Sequence, residues 1–472
     1  PNESSAASDV YKRQFLSLML KDNLRSISPL DGRYSKKLQI LEDRFSEFAL
    51  IKYRLQVEVE WLIFLSSKKE LNFIKPLSKK SIVNLKLLYE KFSLKDAKDV
   101  KKIESVTNHD VKAVELFLIK KLNSLKLNNY KEFVHLFCTS EDINNLAYNL
   151  MVKDYLSIEF KQITTDLKKD LKSLAKKWAK LSMLSHTHGQ SASPTTLGKE
   201  FANFYARLEY HFDLLNSIKP SGKINGAVGN YNAHQLVSEK LNWPDLSKRF
   251  VKSLGLEWTK YSTQIEPKDV FSSIISHLEN LNNVLIDLSQ DNWIYISKGY
   301  LKQRTKKNEV GSSTMPHKVN PIDFENAEGN FKLANSFLVS IKEKIQISRL
   351  QRDLSDSTTL RNLGSAFSYS YLAINSLRSG LSKVEPNKEI ISNDLNNSWE
   401  VLTEAVQTIL RKNKVENSYE KIKKLTRGKS IDKNSYLAMI AALDIKEEDK
   451  VKLTKLTPFD YVGLAEKLAK EI

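Results

Sequence analysis

The stretch "ITTDLKKDLKSLAKKWAKL", residues 163–181, decides what kind of chain this is. Ile163, Leu167, Leu171, Leu174, Trp178 and Leu181 recur at spacings of 4, 4, 3, 4 and 3, with lysines filling the places between. A period of 3.6 residues puts all six on one helical face, an ordinary core-packing stripe. The pattern predicts one continuous helix over 143–181. Working outward, it predicts helix over 43–66 and 84–125, and long helices at about 196–218, 267–299, 321–347 and 363–383. Ser193 is read as the cap and Pro194 as the first helical residue of the helix near 196. Helices of this length stacked side by side imply a bundle. "VEPNKE" (384–389) interrupts them and shorter helices follow. Strand signals are sparse, and "GKINGAVGNYNAH" (222–234) is the main Gly/Asn-rich loop. The expected fold class is all-α, in domains 19–129, 130–382 and 383–472. Residues 1–18 are expected to be a disordered extension, with Met19 a natural start.

Composition narrows the function classes. Of 472 residues, 41% are hydrophobic and 28% charged, the balance of a globular chain. No apolar run approaches the roughly 20 residues of a membrane span. "FLSLML" (15–20) is too short for a signal peptide and lacks a cleavage site. Cys138 is the single cysteine, so no internal disulfide forms, and a reducing cytoplasm is expected. The net charge of +18 raises nucleic acid as a partner. The 60 lysines, however, are scattered over nearly every helix, and no basic stretch alternates with aromatics. A solvated Lys-rich surface accounts for the charge. Arginine is scarce, at 14 residues, so Arg349, Arg352 and Arg361 stand out within thirteen positions. Such a cluster suits the planar, two-pronged grip of guanidinium on carboxylate or phosphate.

Small polar islands interrupt the helices: "SPLDGRY" (28–34), "TNHD" (107–110), "CTSEDINN" (138–145), "SHTHGQ" (185–190), "STQIEP" (262–267), "GSSTMPHKVN" (311–320) and "SRLQRDLSDSTTLRNLG" (348–364). His186 and His188 could share a metal, but no HExxH or CxxC arrangement completes such a site. A histidine in a Thr-His-Gly-Gln turn reads better as a proton-transfer group. In 311–320 the Gly and Ser residues leave backbone N–H groups free to face an anion, and Lys318 adds a full charge. Asn320 and Pro321 read as the cap and first residue of a helix, whose positive end reinforces the anion site. The spacing of a P-loop is absent.

Together the islands resemble one family. "GSSTMPHKVNP" (311–321) closely resembles the signature loop of the fumarase/aspartase superfamily, whose members release fumarate from succinyl-containing substrates. "SPLDGRY", "TNHDVKAVE", "CTSEDINNL", "THGQ", "GKINGAVGNYNAH", "TQIEP" and "QRDLSDSTTLRNLG" fall in the order of its bacterial-type adenylosuccinate lyase branch, over about residues 19–472. The resemblance implies a three-domain fold with a long central bundle, and a homotetramer with a twenty-helix core. Each active site would then be built from three subunits. It implies β-elimination of fumarate from adenylosuccinate and from succinylaminoimidazole-carboxamide ribotide, in purine biosynthesis, with no metal or cofactor.

The site roles implied by that resemblance are specific. Ser312 is the general base and His188 the general acid. Lys318 and Asn320 hold the succinyl carboxylate on which charge builds, with Thr139 and Ser140 completing the cradle. Arg33, Tyr34, Ser357 and Arg361 grip the nucleotide phosphate, and Arg352 a nearby substrate anion. Asn108, His109, Asp110 and Gln264 line the pocket, with Ser313 and Met315 beside the base. His186 departs from the family, which carries arginine there. Two other readings compete. One is a sister lyase acting on argininosuccinate, aspartate or malate, which has no use for a phosphate grip. The other is a binding protein on the same fold, against which Ser312, His188, Lys318 and Asn320 all stand intact.

Overall fold

The computed structural model describes residues 23–304, 315, 317–426 and 431–472. The extension expected at 1–18, and Ser312 and Ser313, lie outside the described residues. Helices dominate; strands among the described residues form three two-stranded sheets. The all-α expectation holds.

The four long helices stand where their apolar periods placed them, at Leu197–Ser217, Asp269–Ser297, Ile322–Ile345 and Leu363–Lys383. Four details differ, the last being that the span 84–125, expected as helix, is three helices, Lys79–Glu90, Leu94–Thr107 and Asp110–Ser124. The single helix expected over 143–181 is Ser140–Tyr155, a π-helical turn Leu156–Phe160, then Lys161–Lys177. The stripe is buried at Ile163, Leu167, Leu171 and Trp178, but Ala175 is buried where Leu174 is only half-buried, so the face is slightly rotated. The helix expected over 43–66 is broken at Ser46. Its extended backbone ends Ser35–Phe45, and its hydroxyl caps Glu47–Ser66 by accepting from the Ala49 amide.

The third correction concerns Ser193 and Pro194. They do not open a helix; they lie in the strand Gln190–Thr196, antiparallel to Ser182–Thr187. Met183 pairs with Thr195 but Ser185 with Ala192, so the second strand carries an extra residue there. Proline lacks the ladder's N–H, and a bulge is where a strand tolerates it. The helix starts at Leu197, with the Thr196 hydroxyl accepting from the Lys199 amide.

The chain divides into two compact units. The first comprises 23–163, 214–282 and 330–372. Its N-terminal core packs Ile51, Leu55, Val59 and Leu62 of Glu47–Ser66 against Ala113, Val114, Phe117, Leu118 and Leu122 of Asp110–Ser124. Each buried Leu or Phe contributes about 1.5–3 kcal/mol relative to exposure, so Phe117→Ala should cost about 3–5 kcal/mol. The second unit comprises 164–213, 283–329 and 373–472. In it Gly380 permits a close crossing, since a Cβ there would stand 2.9 Å from the Phe324 ring. Arg378 holds Asp170 at 2.7 Å and Asp166 at 3.4 Å, binding Leu363–Lys383 to Lys161–Lys177. The short C-terminal helices close on Leu402, Leu410, Tyr436, Ile440 and Leu453, all buried.

Candidate active site

In the first unit, ion pairs draw four of the polar islands, 107–110, 138–145, 262–267 and 348–364, together with the 222–234 loop. Asp142, fully buried, is the hub of one group. Its carboxylate accepts from the Thr139 amide at 2.8 Å, the Lys223 ammonium at 2.9 Å, and the Asn225 and Gly226 amides at 3.0 and 3.1 Å. These bonds cap the helix Ser140–Tyr155 and weld its start to the 222–226 loop. Both charges of the Lys223–Asp142 pair are fully buried, so the desolvation cost is offset only because every acceptor position is occupied. Thr139 and Ser140 are thereby fixed at a capped helix N-terminus, the positive end of its dipole.

Glu141, next along, joins two more islands. Burial pushes its carboxyl above the usual range, against the pull of Lys268 and Arg352. Lys268 lies 3.6 Å from it and 3.8 Å from Glu266, which takes the Ser221 and Thr259 hydroxyls on its other oxygen. Arg352 reaches both oxygens of Asp356 at 3.1 Å and Glu141 at 3.7 Å. Its Nη1 is thus already engaged by protein carboxylates.

Asp110 is the third hub. One oxygen accepts from Arg54 at 2.7 Å and from Arg361 at 2.9 Å, while Arg54 also donates to Asn144 at 2.8 Å. Burial would raise the Asp110 carboxyl, but Arg54, the Val111 amide and Arg361 together hold it below the ordinary value. The neighbouring Asn108 ends Leu94–Thr107 in the left-handed region at φ 51°, which asparagine tolerates. His109 caps the following helix, its Nδ1 accepting from the Lys112 amide at 3.2 Å. An Nδ1 that accepts leaves the ring proton on Nε2, facing away from the backbone. Ser357 stands on the short helix Ser355–Leu360, its amide donating to Asp356. Gln264 donates to the Ala227 carbonyl at 2.9 Å. Arg33 is exposed, and Tyr34 donates its amide to the Pro29 carbonyl at 2.9 Å.

The second unit holds the other two islands. His188 and Gly189 form the two-residue turn of the hairpin Ser182–Thr187/Gln190–Thr196, both left-handed, at φ 52° and 73°. That geometry matches the twist of a hairpin and favours glycine at both places. A histidine at the first costs about 1 kcal/mol. His186, two residues back, has its ring centroid 5.9 Å from that of Tyr300, and burial beside Lys298 holds its pKa down. Lys318 is exposed and donates its amide to the Met315 carbonyl; Met315 is exposed and Asn320 half-buried. The helix begins at Ile322, one residue past the expected start, with the Pro321 carbonyl taking the Phe324 and Glu325 amides.

Sequence reasoning missed Arg54, Lys268 and Glu141. Arg54 had a signal: it stands with Glu58, four residues on, in an otherwise apolar face of Glu47–Ser66, and both are buried.

The chain matches the family model described as "Lyase" over residues 32–334 and "Adenylosuccinate lyase C-terminal" over 348–462. It is 47% identical to an adenylosuccinate lyase of Buchnera aphidicola, across 95% of this chain and 99% of that one. An adenylosuccinate lyase of Escherichia coli K12 is 44% identical, over 95% of this chain and 99% of that one. The chain belongs to the adenylosuccinate lyase family. Among solved structures, a fumarate lyase from Mesorhizobium superposes with a TM-score of 0.72 at 18% identity, covering 92% of this chain and 97% of that one. A Pseudomonas putida 3-carboxy-cis,cis-muconate lactonizing enzyme gives 0.71 at 17%, over 92% and 96%. These two likenesses give this adenylosuccinate lyase family member its fumarase-type fold.

Proposed function

We propose that this chain eliminates fumarate from adenylosuccinate, giving AMP, and from succinylaminoimidazole-carboxamide ribotide, giving the aminoimidazole-carboxamide ribotide. What carries this reading is likeness at 43–47% identity to adenylosuccinate lyases over nearly their whole length. In the reaction Ser312 removes a proton from the carbon next to a succinyl carboxylate. The C–N bond then breaks as its electron pair leaves on nitrogen, and His188 returns a proton to that nitrogen. The carbanion-like transition state spreads charge onto the carboxylate, where Lys318, Asn320, Thr139 and Ser140 bear on it most strongly. Arg33, Tyr34, Ser357 and Arg361 hold the phosphate. Asn108, His109, Asp110 and Gln264 line the pocket, with Ser313 and Met315 beside the base. Arg352 serves a substrate anion after exchange from Asp356. The protein works as a cytoplasmic homotetramer whose active sites are shared between subunits.

The test is ultraviolet absorbance of purified protein mixed with adenylosuccinate, with no metal or cofactor added. A change matching AMP and fumarate supports the assignment; silence from folded protein overturns it. Mixing Ser312→Ala with His188→Ala subunits should restore activity if sites are shared, and no recovery counts against sharing.

A further inference from the structure

Arg361 is held by two carboxylates of different kinds. On one side Asp110 is fixed: it is tied at 2.7 Å to Arg54, which is itself only 1% exposed and anchored on Asn144. On the other side Glu47 is loose. It lies 3.5 Å from Arg361, a distance too long for a strong hydrogen bond, and both side chains are over two-fifths exposed. Its other oxygen lies 3.3 Å from Lys101. Arg361 and Glu47 also share the wall of a cavity of about 600 Å³, lined as well by Ser28, Ser35 and Ser365 and by Asp31 and Glu42. That volume is in the range of small-molecule sites.

We propose that Glu47 is a displaceable counter-anion occupying the phosphate's place on Arg361 when the site is empty. This rests on the reading of Arg361 as a phosphate ligand. A phosphate brings more charge and a two-pronged match to guanidinium, so it outcompetes a single exposed carboxylate. Asp110 cannot leave, because departure would strand the buried Arg54 charge. Glu47 can, because Lys101 remains as its partner. Glu47 thus keeps Arg361 ordered between turnovers and weakens retention of the nucleotide product, setting affinity at the phosphate end alone.

The experiment is competitive inhibition by AMP, inorganic phosphate and adenosine, for wild type, Glu47→Gln, Lys101→Met and Arg361→Lys, with melting temperatures confirming fold. Glu47→Gln should tighten AMP and phosphate about two- to fivefold, the worth of an exposed pair, and leave adenosine unchanged. Lys101→Met should do the opposite, since Glu47 then bears on Arg361 alone. Unchanged or weaker AMP binding by Glu47→Gln, or an equal shift for adenosine, overturns the proposal. If Arg361→Lys itself leaves AMP and phosphate untouched, the phosphate-ligand reading falls. Loss with Arg361→Lys but no response to Glu47→Gln removes only the counter-anion.

Discussion

Arg54 and Arg361 share one oxygen of Asp110, at 2.7 and 2.9 Å, although Arg54 is buried and Arg361 is 44% exposed. The same carboxylate therefore has two duties: it neutralises a charge in the core and aims another at the surface. Substitutions on the two sides should separate them. Asp110→Asn leaves the Arg54 guanidinium buried without a counter-charge and should cost about 3 kcal/mol in chemical denaturation. Arg361→Lys removes only an exposed fork. It should leave stability within about 0.5 kcal/mol and raise KM about tenfold, with little change in kcat. A denaturation midpoint for Arg361→Lys as low as that of Asp110→Asn would refute the division.

Gly229 bears on the segment that carries Gln264 through backbone approach. Its φ is 83°, and a Cβ would stand 2.3 Å from the Ser262 carbonyl and 2.9 Å from that of Thr263. Alanine therefore adds left-handed strain to a clash with backbone that has no free end to yield. Gly229→Ala should cost about 2–4 kcal/mol and lower kcat/KM, because the 262–264 segment that carries Gln264 must move. Thermal melting and steady-state kinetics check both parts.

His234 sets an acid limit. It is fully buried, stacked on Phe137 at 4.7 Å and edge-on to Trp243 at 4.9 Å. Burial lowers its pKa from 6.5 to about 4, against a smaller upward pull from Asp142. Above pH 6.5 the ring is neutral folded or unfolded and contributes no pH dependence. Between 6.5 and about 4 the unfolded chain takes up a proton that the folded chain refuses, so stability falls with falling pH, by about 3 kcal/mol in all. Below about 4 this contribution levels off. Denaturation at pH 7.5, 5.5 and 4.5 should show a steeper slope for wild type than for His234→Phe; parallel slopes would sink the claim.

The long helices were legible because each needs an apolar face over many turns, and 20 or more residues repeat the signal. Shorter decisions were not. Ser46 ends one helix and caps the next with a single residue while Phe45, Phe48, Ile51 and Leu55, at spacings of 3, 3 and 4, keep the apolar rhythm through the break. The π-helical turn at Leu156–Phe160 inserts into a pattern whose period it barely alters. Pro194 looks like a helix opener, and only the register shift between the Met183–Thr195 and Ser185–Ala192 pairs reveals a bulge. In the candidate site the exposed island residues could be listed from sequence. The charges beneath them could not, because Arg54, Glu141 and Lys268 acquire meaning only from partners distant in the chain. The scarcity of arginine was nonetheless a usable signal, and Arg54 fits it as well as Arg361 does.

The same hairpin geometry that marks His188 also complicates its mutagenesis. An alanine there changes two things, losing the imidazole and leaving a Cβ residue in the left-handed region without compensation. Asparagine is better suited, because it populates that region readily and cannot act as an acid. His188→Asn should therefore melt at or slightly above the wild-type temperature while kcat falls by about 10²–10⁴-fold, the usual worth of a positioned proton donor. Gly189→Ala is the matching control. Its φ is 73°, but nothing lies within 4 Å of the added methyl, so only the conformational cost of about 1 kcal/mol applies. If His188→Asn retained turnover while Gly189→Ala lost it, the turn's shape rather than the imidazole would be what the reaction requires. Loss in the asparagine variant alone, with an unchanged melting temperature, would put the proton on His188.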